Sequence, residues 1–274
     1  MKWSRRTYGF NGSHRVFRLT KSIAIKFGIK VRSYEAGTMR YIRQHTSIPV
    51  PDVFDVWTQK DGSPVIVMEW IDGKTLEMAW PMLSPEDKQI IANQLKTYID
   101  QLRTLRQPTD SEGWIGSYNE ESLSDALLSD GACGPFASYR DFNQFLLSRF
   151  EFMNVTTEGR AEFEGLKKEV LGGEQRHVVF THSDIVPRNI LIDDDNKIVA
   201  ILDWEMAGWM PEQWEYVKAM WIGQYDEGWP EFVSKFLHSY DDDLRMHNKM
   251  CAMHGAPFQG KEDIAGSRTS SDAT

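Results

Sequence analysis

Apolar and polar residues alternate along HRVFRLTKSIAIKFG (14–28), a stretch rich in Val, Ile and Phe. A period of two predicts a pair of short strands around a turn at Thr20–Ser22. The period lengthens in SYEAGTMRYIRQH (33–45), where Tyr34, Met39, Tyr41 and Ile42 fall near helical spacing and Ser33 is placed as the cap. The two prolines of IPVPDVFDVWT allow only an extended path or an edge strand. SPVIVMEWI (63–71) predicts a buried strand, and DGKTL after it a turn.

From Ser84 the helical period takes over. SPEDKQIIANQLKTYIDQLRTLR (84–106) has a serine cap, a proline in the first turn, acids near the start, and one stripe formed by Ile90, Ile91, Leu95, Tyr98, Leu102 and Leu105. Residues 107–138 are rich in Gly, Ser, Asp and Pro and read as loops. YRDFNQFLLSRFEFM (139–153) predicts a second helix, and short strands follow. PEQWEYVKAMWIGQ (211–224) and WPEFVSKFLHSY (229–240) predict two more helices, while the tail has no period. Strands with one helix come first and helices afterwards. The pattern predicts an α+β fold of two lobes: a β-rich lobe over 1–71, a helical lobe over 72–250, and a disordered tail over 251–274.

Composition narrows the field. The 274 residues are 41% hydrophobic and 26% charged, with a net charge of −9. A basic face for nucleic acid is not expected from this balance. The longest apolar runs fall far short of the ~20 residues that span a bilayer, and the N-terminus lacks the apolar core of a secretory signal. A soluble, cytoplasmic protein is the expectation, with Cys133 and Cys251 as free thiols. Oligomeric state is not legible.

Chemistry concentrates in FTHSDIVPRN (180–189), where His182, Asp184, Arg188 and Asn189 crowd behind an apolar strand. Asp and Asn also serve as plain turn residues, bonding their own backbone. Here a second apolar run, IVAILDWE, ends in Asp203. Two carboxylates and an amide converging on one cleft make a hard oxygen site suited to magnesium. The spacing H-x-D-x-x-x-x-N, followed by a strand-terminal Asp, matches the kinase catalytic arrangement. Upstream, IAIK (23–26) resembles the strand that supplies a phosphate-pairing lysine, and Glu35 on the next helix can hold it. Lys30 is the rival for Lys26, and Gly28 is expected to break the strand between them. Glu69, Trp70 and Ile71 lie at the seam of the lobes, with the backbone of Glu69 and Ile71 placed to meet an adenine edge.

FTHSDIVPRNILID, ILDWEMAGWMPEQWEY, EAGTMRYIRQHTSIPVPDVF and VIVMEWIDGKTL together resemble the aminoglycoside phosphotransferase and choline kinase-like family, notably its fungal branch. The resemblance covers roughly residues 14–240. It implies a protein-kinase-like fold and ATP-dependent phosphorylation of a small-molecule hydroxyl. By that carry-over Asp184 is the catalytic base, Asn189 and Asp203 hold Mg2+, and His182 props the loop. Two departures stand out: Ser183 replaces the family's usual glycine, and only YGFNGSHR precedes the lysine strand where a glycine-rich phosphate loop belongs. The acceptor, with a cationic molecule among the options, is expected on the helical lobe. Glu205, Glu212, Glu215, Asp226 and Glu227 would make its pocket acidic, and Trp204, Trp209, Trp214 and Trp221 would wall it; an ordinary helical surface over a tryptophan core is the competing reading. A kinase-fold scaffold without turnover is the alternative function. A protein kinase ranks last, because no A-P-E-like element follows Asp203.

Overall fold

The computed structural model describes residues 15–28, 31–107, 112–129, 131–151, 157–223 and 228–253. The N-terminal part is a four-stranded antiparallel sheet in the order β1-β2-β4-β3. Its strands are β1 (Arg15–Arg18), β2 (Ile23–Phe27), β3 (Val53–Thr58) and β4 (Pro64–Glu69). Helix α1 (Ser33–His45) crosses over between β2 and β3. The alternating pattern was legible: β2 turns Ala24 and Lys26 inward and leaves its odd positions half-buried. Strand β3 lies at the sheet edge, with Pro49 and Pro51 in the extended approach before it, and Pro64 opens β4 at a position that needs no ladder donor. The cap of α1 differs from expectation. Ser33 is already helical, and the capping position falls on Arg32, whose side chain makes no cap bond.

A short strand β5 (Lys74–Thr75), the one-turn α2 (Leu76–Ala79) and the long α3 (Pro85–Thr104) lead into the helical part. Ser84 closes a reciprocal capping box with Asp87, giving and receiving at 3.2 and 3.1 Å. The buried stripe of α3 is Ile91, Leu95, Ile99 and Leu102, while Ile90 is exposed. Within 107–138, read as loops, the chain forms a short pair, β6 (Leu123–Ser124) with β7 (Ala132–Cys133), and a bridge from Gly116 to Trp209. Then follow α4 (Tyr139–Glu151) and α5 (Thr157–Gly172), the latter unforeseen. The remaining strands are β8 (Val178–Thr181), β9 (Ile190–Ile192), β10 (Ile198–Ile201) and β11 (Gly208–Pro211). β11 pairs with β8, and β9 lies between β10 and β5. Helix α6 (Trp214–Gly223) begins later than expected because Pro211 ends β11 and Glu212–Gln213 form the turn between them. Helix α7 (Trp229–Val233) stops early, and α8 (Asp241–Met253) closes the described chain.

One apolar core runs without interruption from the sheet (Ala24, Ile66, Met68) through α1 (Ala36, Met39, Ile42) and α3 into Phe180, Trp204 and Trp229. A second core joins Phe142, Leu146, Phe163, Leu166, Trp214 and Met250 between the later helices. No helix among the described residues is long and apolar enough to cross a membrane. Cys133 and Cys251 are free thiols, Cys133 buried.

Candidate active site

β2 delivers Lys26 into the seam between the sheet and the helical part. Its Nζ donates to Glu35 Oε1 at 2.8 Å and to Asp203 Oδ1 at 2.7 Å. Glu205 Oε2 lies 3.7 Å away. Lys26 and Glu35 are buried, so their charges survive only because each has partners. Burial alone would depress the lysine, but the carboxylates of Asp203, Glu35 and Glu205 overcome it and raise the ammonium well above its ordinary value. Glu35 is pushed up, by burial first and by the charges of Asp203 and Glu205, against the pull of Lys26. One lysine thus faces three acids. Gly28 follows the strand with φ 143, the break expected there. Lys30, Gly9 and Gly12 lie outside the described residues.

The loop after β8 holds the second cluster. Asn189 Nδ2 donates to Asp184 Oδ2 at 2.7 Å and to the Asp184 carbonyl at 3.0 Å. Arg188 Nη2 reaches both Asp184 oxygens, at 3.2 and 3.3 Å. His182, fully buried, accepts the Asp184 N–H at Nδ1 (3.2 Å) and donates from Nε2 to the Leu202 carbonyl (3.0 Å). The imidazole therefore pins the loop to the residue before Asp203. Leu202 N–H returns to the Asn189 carbonyl at 2.8 Å, so both loop ends are stitched to the same strand exit. Asp203 itself sits in left-handed backbone, φ 65 and ψ 63, a conformation that costs a non-glycine residue energy and clusters at functional sites.

The departure at Ser183 has a structural answer. Ser183 adopts φ 63, the region a glycine would enter freely. Two restraints hold it there. Its hydroxyl shares a 2.7 Å bond with Thr181 Oγ1. The carboxylate of Glu215, fully buried on α6, accepts the N–H groups of His182 (2.6 Å) and Ser183 (3.0 Å). Glu215 was expected on an acidic acceptor wall and is instead the strut beneath the loop. No local signal sets it apart from other helical acids.

Other expectations need the same correction. Trp204, Trp209 and Trp214 are core residues, with indole N–H groups donated to Ile201 O, Tyr118 O and Asp125 Oδ2. They do not wall a cation pocket. Glu212 turns to the backbone N–H of His177 at 3.3 Å, and Asp226 and Glu227 lie outside the described residues. At the seam, Glu69 gives its N–H to the Asp52 carbonyl and accepts the Asp52 N–H on its carboxylate. That N–H is therefore committed to the chain, while Ile71 follows half-buried.

Oxygen atoms of Glu35, Asp203 and Glu205 lie within 4.8 Å of one another. Glu35 is taken up by Lys26, and Asp203, the half-buried member, is the hard donor that fits a divalent cation bound together with phosphate.

These features define a kinase-like phosphotransferase architecture. Residues 4–249 match the phosphotransferase enzyme family, and the chain belongs to it. Among solved structures it resembles aminoglycoside phosphotransferase APH(4)-Ia, with a TM-score of 0.63 at 14% identity, covering 94% of this chain and 88% of that one. It also resembles aminoglycoside 2'-phosphotransferase-IIIa, solved as a GDP complex, with a TM-score of 0.59 at 12% identity over 93% and 83% of the two chains. A curated relative, clavilactone A biosynthesis cluster protein Y of Ampulloclitocybe clavipes, is 24% identical over 225 residues, 73% of this chain. The match spans 55% of that relative's length.

Proposed function

We propose that the protein is an ATP-dependent phosphotransferase that moves the γ-phosphoryl group to a hydroxyl of a small molecule. The observation that carries this reading is the buried Lys26 bonded at once to Glu35 and Asp203, with Asp184 and Asn189 on a loop stitched to the same strand exit. The nucleotide is assigned to the seam between residues 1–71 and 72–250, where the Glu69 and Ile71 region would meet the base. Lys26 pairs with the phosphates and Glu35 keeps it extended. Asn189 and Asp203 would hold Mg2+, which when bound neutralises charge on the phosphates. Asp184 accepts the proton of the attacking hydroxyl, and Arg188 and Asn189 hold its carboxylate in place until then. Phosphoryl transfer asks mainly for this alignment and charge placement.

The neighbouring structures support a nucleotide and a hydroxylated acceptor. One APH(4)-Ia variant was solved with AMP-PNP and hygromycin B, and APH(2")-IIIa with GDP and kanamycin. The identity of this protein's acceptor does not follow from them. Calorimetry with ATP and Mg2+ tests the reading. The wild type is expected to bind MgATP, and Asp203→Ala to lose the magnesium-dependent part. No binding by the wild type, or unchanged affinity in the variant, overturns it.

A further inference from the structure

We propose that Tyr34, seated by the buried Asp125–Lys218 pair, is a positioning residue that holds α1 where Glu35 reaches Lys26. Tyr34 immediately precedes Glu35. Its phenol donates to the carbonyl of Glu205 at 2.6 Å and accepts the N–H of Ser124 at 2.7 Å. One hydroxyl thus ties α1 to two other segments. The first carries Asp203. The second is the 123–129 turn.

That turn is not a free loop. Asp125, fully buried, accepts Lys218 Nζ at 2.7 Å and the Leu127 N–H at 2.8 Å on Oδ1. Its Oδ2 accepts the Trp214 indole N–H at 2.9 Å. Lys218 and Trp214 both lie on α6, the helix whose Glu215 carries the His182–Ser183 backbone. α6 therefore sets the Asp184 loop directly, and through Asp125, Ser124 and Tyr34 it sets the end of α1 that bears Glu35. At Gly37, one helical turn on, a Cβ would lie 2.3 Å from the Tyr118 hydroxyl, so α1 also rests against the stretch that leads into β6. A tyrosine that merely filled space would not need both halves of its hydroxyl engaged by backbone from two distant segments.

The inference deepens the proposed function, since it rests on Lys26 and Glu35 serving the nucleotide. Its test is a double-mutant cycle of Tyr34→Phe and Glu35→Gln, read by MgATP calorimetry well below the melting midpoint. Tyr34→Phe is expected to weaken MgATP about 10-fold, the scale of one hydrogen bond, and to add nothing in the Glu35→Gln background. A lowered melting midpoint with unchanged affinity marks a structural tyrosine and overturns the proposal. So does an equal loss in both backgrounds. A second readout needs no nucleotide. Hydrogen exchange of the α1 amides in the free protein should quicken in Tyr34→Phe while that of α3 stays unchanged. Should the wild type fail to bind MgATP, the proposed function falls, and this exchange result alone decides whether Tyr34 positions α1; unchanged α1 exchange refutes it.

Discussion

Removing the charge of Glu215 tests whether the loop bearing Asp184 is held from below. In Glu215→Gln the side chain keeps its shape. One amide oxygen can still accept a single N–H, but the other position becomes a donor facing a donor. The backbone N–H groups of His182 and Ser183 now bond the carboxylate at 2.6 and 3.0 Å in a fully buried setting. Leaving one buried N–H unpaired costs about 1–3 kcal/mol. Turning the other bond from charge-assisted to neutral costs about 1 kcal/mol more. Against this stands relief from burying a charge, softened because Arg103 lies close enough to feel Glu215. The short bonds favour a net loss of about 2–3 kcal/mol, roughly 4–5 °C in melting midpoint for a chain of this size. Urea denaturation followed by circular dichroism measures the loss, and turnover should fall with it because Ser183 is freed from φ 63. A variant that melts at or above the wild type and keeps full turnover would refute the reasoning.

Three further expectations follow from the same geometry. Asp184→Asn should cost some stability, because Asn189 and Arg188 donate to its carboxylate, but keep MgATP affinity and lower phosphoryl transfer by roughly 10²-fold or more; a variant that melts early yet turns over normally would make Asp184 a turn residue, and an acceptor screen of hydroxylated amines must precede the assay. Ser183→Gly should be more stable than Ser183→Ala by on the order of 1 kcal/mol, since both lose the bond to Thr181 but only glycine escapes the left-handed strain at φ 63; equal chemical-denaturation midpoints would contradict the strain. His247 is pushed down to about 4, by burial first and by Lys218, with Asp125 opposing. An unfolded imidazole titrates near 6.5, so between these values the unfolded chain binds the extra proton, and stability falls as pH drops through that window. About 2 kcal/mol should disappear between pH 7 and pH 5, and His247→Phe should flatten that slope in pH-dependent melts; an unchanged slope would remove His247 as the cause.

By itself the chain determined whatever is encoded within a few residues. Period-two alternation placed β2, and the IAIK resemblance singled out Lys26, but that the even face with Ala24 and Lys26 is the buried one, rather than the face of Ile23, Ile25 and Phe27, was decided by packing. The serine cap, first-turn proline and early acids at residues 84–87 marked the start of α3. The spacing of His182, Asp184 and Asn189 identified the loop, since that chemistry is local. Helices α5 and α8 escaped notice: the apolar residues of α5 are few among its charges, and α8 opens on three aspartates that look like a polar tail, while their packing on α4, α6 and each other is non-local. Residues 107–138 looked like loops because their order comes from non-local pairing, Ile115 with Phe136 and Gly116 with Trp209, which no local pattern records. Tertiary structure alone decided that Lys26 meets Asp203 across 177 positions. It also decided that four residues read as an acidic, aromatic acceptor wall, Glu215 and the tryptophans at 204, 209 and 214, belong to the interior. A glutamate or tryptophan on a helix has the same local propensity whether it faces solvent or core, and only the packing of distant segments around it selects which.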